Sequence, residues 1–206
     1  MTSDPRIPCA TTEPLALPAE QKALLRKQLR LRRRAIDAAS KAAWDRAIGE
    51  RLLAWWQAVQ PASLGVYWPL KDEPDLHAAY AALAARGARL LLPVVLEKDA
   101  PLAFTEWQIG EAMVQDAMGV AVPQNLRLQA EYPAALLVPC LGFNEGNYRM
   151  GYGGGYYDRT LEHLRANGRV TAIGIGYAGQ EIAEVPWGPH DQPLDAVLTE
   201  HGLIRF

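Results

Sequence analysis

LLVPCLGFNEGNYRMGYGGGYYDRTL, Leu136 to Leu161, runs in order through strand, turn, glycine-rich loop and helix. LLVP is a short apolar run closed by a turn signal, which reads as a strand buried on both faces. Gly151, Gly153, Gly154 and Gly155 follow, leaving a run of backbone N–H groups unshielded by side chains. The helix expected over Tyr156–Ala166, stopped near Gly168, aims its positive end at the same place. Strand, loop and helix in that order make a phosphate cradle at the carboxyl end of a strand. A glycine-rich turn serving only tight packing is the plain alternative.

Outward from this unit the same rhythm continues on both sides. VTAIGIGY and AVLTE read as strands downstream. Upstream, SLGVYWP and ARLLLPVV read as strands around a helix from Asp75 to Arg86 that Gly87 ends. Helices alternating with nearly all-apolar strands predict a three-layer α/β/α, Rossmann-like fold on a mostly parallel sheet, with ligands at the carboxyl ends of strands. Two helices open the domain. The first spans Ala19 to about Asp37, with Leu25, Leu29 and Ile36 on one stripe and Lys22, Arg26, Arg30 and Arg33 on the next. The second spans Ser40 to about Val59, with Ser40 as N-cap, Pro61 as terminator, and Trp44, Ile48, Leu52 and Trp55 as core. The segments around Pro123 and Pro133 read as loops. A single domain is expected over 19–206, preceded by a flexible tail over 1–18.

Half of the 206 residues are hydrophobic and 21% are charged, a composition that excludes global disorder. Cys9 and Cys140 lie in no metal-binding spacing and read as reduced thiols. The first twenty residues hold prolines and acids where a secretory signal needs an apolar run. Later apolar segments are much shorter than the roughly 20 residues of a membrane helix. A cytoplasmic protein is expected, without membrane partners. Lys22, Arg26, Lys27, Arg30, Arg32, Arg33 and Arg34 put seven positive charges into thirteen residues. Taking those seven from the net −2 leaves −9 for the rest, an asymmetry that suggests a local anion site. A nucleic-acid module would leave the glycine loop idle and sits poorly with a negative net charge.

Two standard phosphate motifs fail. A Walker A loop needs Lys and Ser or Thr after its last glycine, and Gly155 is followed by Tyr156 and Tyr157. The dinucleotide fingerprint would put its third glycine at Tyr156. What RMGYGGGYYDR (149–159) does resemble, with VPCLGFNEGNY (138–148) before it, is the signature loop of the 5-formyltetrahydrofolate cyclo-ligases. The likeness extends over nearly the whole chain after the tail. It includes the K-x-x-x-R pattern of Lys22 and Arg26, VYWPLKDEPDL, LLLPVV, FTEW and HDQPLDAVLTE; Cys140 stands where the family more usually has glycine.

The resemblance implies an ATP- and Mg²⁺-dependent closure of 5-formyltetrahydrofolate to 5,10-methenyltetrahydrofolate, with ATP and the folate as small-molecule partners; the sequence does not give the oligomeric state, and a monomer is the favoured expectation. By similarity, Lys22, Arg26 and the loop from Arg149 through Met150, Gly151, Tyr152, Gly153, Gly154, Gly155 and Tyr156 to Tyr157 bind ATP. Tyr152, Gly153, Gly154, Gly155 and Tyr156 also line the folate side, and one of the two adjacent tyrosines is expected in the core. Glu73 matches the pterin-binding acid and Trp68 an apolar contact. Trp107 is expected in the core or near the substrates. Asp158 and Asp191 match magnesium ligands, and His190 is left at the surface. A different ATP-dependent ligase or kinase on the same scaffold is the alternative.

Overall fold

The computed structural model describes residues 17–168 and 170–206; most of the tail, and Cys9 with it, lie outside them. In chain order the elements are α1 (Ala19–Arg34), α2 (Ala38–Val59), β1 (Leu64–Gly65), α3 (His77–Ala85), β2 (Leu90–Val94) and β3 (Ala103–Glu106). There follow β4 (Met113–Gln115), β5 (Ala121–Pro123), β6 (Ala135–Pro139), β7 (Gly142–Phe143), β8 (Arg149–Met150) and α4 (Tyr156–Ala166). β9 (Thr171–Ile175), β10 (Ala196–Leu198) and β11 (Leu203–Arg205) complete the chain. Seven strands form one sheet in the order β11-β10-β9-β6-β1-β2-β3, parallel except for the antiparallel edges β3 and β11.

Alternation along each central strand makes three layers. Ala135 and Leu137 of β6, Leu90 and Leu92 of β2 and Ile173 of β9 face α2 and α3, meeting Ile48, Leu52, Trp55, Tyr80 and Leu83. Leu136, Val138, Leu91 and Ala172 face the other way, against Leu161 and Leu164 of α4. The central strands are apolar on both sides because neither face sees water.

Several boundaries move from those the sequence predicts. Asp37, not Ser40, caps α2: its Oδ1 accepts from the backbone N–H of Ala39 at 3.0 Å and of Ser40 at 2.9 Å. α1 stops at Arg34, three residues early, and α3 starts at His77 rather than Asp75. Of SLGVYWP only Leu64–Gly65 is strand. Pro123 is no loop residue; it ends a hairpin strand, paired with Met113. Among the described residues no helix is long and apolar enough to cross a membrane.

Candidate active site

From β1 the chain moves through β2 and β3 to one edge of the sheet; from β6 it moves through β9 and β10 toward the other. The reversal lies between β1 and β6, and outside the carboxyl ends of such a strand pair an open α/β sheet leaves a crevice. A cavity of about 310 Å³ occupies that place. Its walls are Tyr67, Trp68, Leu70 and Glu73 after β1, Pro93 and Val95 at the end of β2, and Pro139 with the 149–158 segment after β6. Lys22 and Arg26 of α1, Met118 of the β4–β5 turn, and Asp191 close it.

The glycine loop has a backbone that only glycine adopts readily. Gly153 and Gly155 sit at φ +100° and +67°, and a Cβ at Gly155 would lie 2.6 Å from Arg159 Nη1. Gly155 is also the N-cap of α4 and supplies no side-chain acceptor, so first-turn N–H groups of α4 remain open to an anion. Arg159 donates to the Gly154 carbonyl at 2.7 Å and stands 5.0 Å over the Tyr156 ring, bracing the loop from outside the cavity. From the opposite side Arg26 Nε donates to the Gly151 carbonyl at 3.0 Å, seating α1 on the loop.

On the β1 side Glu73 is 2% exposed. Its Oε2 accepts from the Leu70 N–H at 2.7 Å, and its Oε1 accepts from the Tyr152 hydroxyl. That hydroxyl in turn accepts from Arg33 Nη2 at 2.8 Å. Burial, and then the charge of Glu73, push the Tyr152 phenol above its ordinary range, with the Arg33 guanidinium pulling the other way. Tyr152 therefore remains a hydroxyl donor throughout the working pH range. Trp68 forms a neighbouring wall, backed by His77 at 4.4 Å and Trp107 at 5.8 Å between ring centroids.

At the other end Arg149 is anchored twice. Nη1 donates to the Gln192 carbonyl and Nη2 to Asp158 Oδ1, both at 2.9 Å. Asp158 Oδ1 also accepts from the Gln192 N–H at 3.0 Å, while Asp191 Oδ2 accepts from the Gly188 N–H at 2.8 Å. Asp158, at the start of α4 beside the glycine loop, thus already has a cationic partner in Arg149. Among the described residues no three His, Cys, Asp or Glu side chains cluster as a self-sufficient metal site. Of the four carboxylates that line the cavity, those of Glu73, Asp116, Asp158 and Asp191, Asp158 accepts from the backbone N–H of Gln192 next to Asp191, and such a pair suits Mg²⁺, which commonly takes one or two carboxylates and completes its shell with phosphate and water.

The chain matches the model of the 5-formyltetrahydrofolate cyclo-ligase family over residues 18–200. The chain belongs to that family. A 5-formyltetrahydrofolate cyclo-ligase of Mycolicibacterium smegmatis is 32% identical over 167 residues, covering 76% of this chain and 84% of that protein. A solved 5,10-methenyltetrahydrofolate synthetase from Mycoplasma pneumoniae superposes with a TM-score of 0.70 at 26% identity, covering 87% of this chain and 98% of that one. The corresponding Aquifex aeolicus synthetase, at 23% identity, shares the fold with a TM-score of 0.73 over 89% of this chain and 92% of that one.

In this cyclo-ligase family member, every site residue expected from the sequence lies on the one cavity: Lys22, Arg26, Trp68, Glu73, Arg149 through Tyr157, Asp158 and Asp191. Trp107 is 6% exposed and stands behind Trp68 in the core, and His190 is exposed. Both Tyr156 and Tyr157 pack partly against the α4-side core while lining the cavity. Arg33 was missed. It is 5% exposed, and although it stands four residues after Leu29 it reads in the sequence as one more member of the basic stripe. Cys140 is an inert thiol: burial pushes it up to about 12. Iodoacetamide at pH 8 is expected to leave Cys140 unmodified in the folded protein and to label it after denaturation, as read by peptide mass mapping.

Proposed function

We propose that this chain couples ATP hydrolysis to the closure of 5-formyltetrahydrofolate into 5,10-methenyltetrahydrofolate. The observation that carries the reading is the meeting on one cavity of an uncapped helix N-terminus behind a glycine loop, which suits phosphate, and a buried carboxylate, which suits the paired N–H donors of a pterin. The formyl oxygen attacks the γ-phosphorus of ATP, the bond to the departing ADP breaks, and a phosphorylated iminium forms at N5. N10 then attacks the activated carbon. Its proton passes to solvent, and phosphate leaves with the original formyl oxygen.

Such a sequence needs alignment and charge neutralisation rather than a protein nucleophile. Lys22, Arg26 and the α4 N–H groups would hold phosphate oxygens, and Glu73 with Trp68 would hold the pterin end. Magnesium, held by Asp158 and Asp191 together with ATP, would neutralise phosphate charge. Because the pair is only a partial ligand set, Mg²⁺ alone is expected to give no measurable binding heat, whereas Mg²⁺ with ATP does.

The decisive assay is appearance of the methenyl chromophore from 5-formyltetrahydrofolate. Turnover requiring both ATP and Mg²⁺, with one phosphate released per ring closed, is expected. Equal turnover without nucleotide would refute the reading.

A further inference from the structure

Arg33 is a charged side chain in a core position. Only Nη2 has a partner, the Tyr152 hydroxyl; Nε and Nη1 are buried without one among the described residues. Burying a guanidinium with two unpaired donors costs stability, and an apolar side chain there would escape that cost. What Arg33 holds is Tyr152. Its Cζ stands 5.7 Å from the centroid of the Tyr152 ring, with Arg30 Cζ at 5.8 Å. Tyr152 has glycine on both sides, so its own backbone does little to fix the ring.

The direction of the hydroxyl proton follows from these contacts. A phenol has one proton to donate, and Arg33, which can only donate, occupies an acceptor lone pair. The proton is left to point at Glu73 Oε1. We infer that Arg33 is a positioning residue for the folate: through the Tyr152 hydroxyl it fixes Oε1 of Glu73, and with it the lone pairs left for substrate. The bond runs from α1 to the glycine loop and, through Tyr152, to Glu73 on the loop after β1, while Arg26 keeps its own bond to the Gly151 carbonyl on the nucleotide side. The inference rests on Glu73 as the pterin acceptor.

The test is steady-state kinetics with thermal unfolding on the full chain for Arg33→Met, Tyr152→Phe, their double variant and Glu73→Gln. Arg33→Met and Tyr152→Phe are each expected to raise the KM for 5-formyltetrahydrofolate about tenfold, with the KM for ATP within about twofold of wild type. The double variant should be no worse than the weaker-binding single variant, since both changes act on one hydroxyl. Multiplied effects in the double variant would overturn the inference. So would equal rises in both KM values, or a lowered Tm with unchanged KM. If Arg33→Met does not fold, Tyr152→Phe carries the test, and an unchanged folate KM in it overturns the role. An unchanged folate KM in Glu73→Gln would remove the reading of Glu73 and this inference together. A raised one there, with Arg33→Met and Tyr152→Phe unaffected, overturns the inference alone.

Discussion

Glu73→Gln is expected to weaken 5-formyltetrahydrofolate binding on the order of 100-fold while changing ATP binding only slightly, since the carboxylate would lose two charge-assisted bonds to the substrate. The side chain is isosteric, but only one of its two terminal atoms accepts. If the amide oxygen keeps the Leu70 N–H, the amide nitrogen replaces Oε1, where it meets the Tyr152 hydroxyl and opposes a pterin N–H with a donor. Turning the amide over strands the Leu70 N–H instead. Either way a buried polar group loses its partner. ATP should be spared because the one Glu73 hydrogen bond that reaches the glycine loop ends on the Tyr152 side-chain hydroxyl, leaving the Arg26 bond to the Gly151 carbonyl and the α4 N-terminus untouched. Titration calorimetry with each substrate separately measures the split. Equal losses for both would assign Glu73 to general support of the loop.

The reason so much of this site is readable in the sequence is that one short segment builds half of it. The limits of α4 follow from its flanking glycines and its periodicity, and its observed span is the expected one. The parallel centre of the sheet follows from apolar runs such as LLVP, whose alternate residues are buried on opposite faces. Signals shared by two candidates were less decisive. Asp37 and Ser40 are both good N-caps, and in the fold Asp37 takes the role by accepting from the backbone N–H groups of Ala39 and Ser40. The edge strand β11 is mostly exposed and only three residues long, too short for a readable apolar run, so its antiparallel return is not legible in the sequence.

Long-range pairing was legible only through resemblance. In the bare sequence Glu73 belongs to an acidic turn, and nothing in that turn says that it will be 2% exposed beneath Tyr152. Arg33 reads as one member of a basic stripe because helical periodicity cannot tell a solvated arginine from a buried one. Arg34, its neighbour, is the ordinary case: it makes an exposed pair with Asp72 at 3.3 Å, of a kind that contributes about 0–1 kcal/mol. Arg149 differs from both, because its side chain is 4% exposed and holds two loops together.

Asp158→Asn and Asp191→Asn should separate those structural bonds from the proposed metal role, and Asp158→Asn should be the costlier of the two. Both substitutions keep the side-chain shape. At 191 the amide oxygen can still accept from the Gly188 N–H, so the turn should survive and the loss should fall on the metal: the Mg²⁺ concentration for half-maximal turnover is expected to rise about tenfold, with Tm unchanged. At 158 the neutral side chain can still accept from Arg149 and Gln192, yet it no longer balances the buried guanidinium. Leaving a buried charge without its counter-ion costs about 3–5 kcal/mol. Part of that is expected as a lowered Tm, and the rest as a kcat reduced on the order of 100-fold together with weakened Mg²⁺ dependence. Bound ATP phosphates would relieve the free Arg149 charge, so ATP should stabilise Asp158→Asn against heat more than it stabilises wild type. Unchanged Mg²⁺ dependence in both variants would overturn the shared metal role and leave Asp158 as the counter-ion of Arg149 and Asp191 as the residue that closes its own turn.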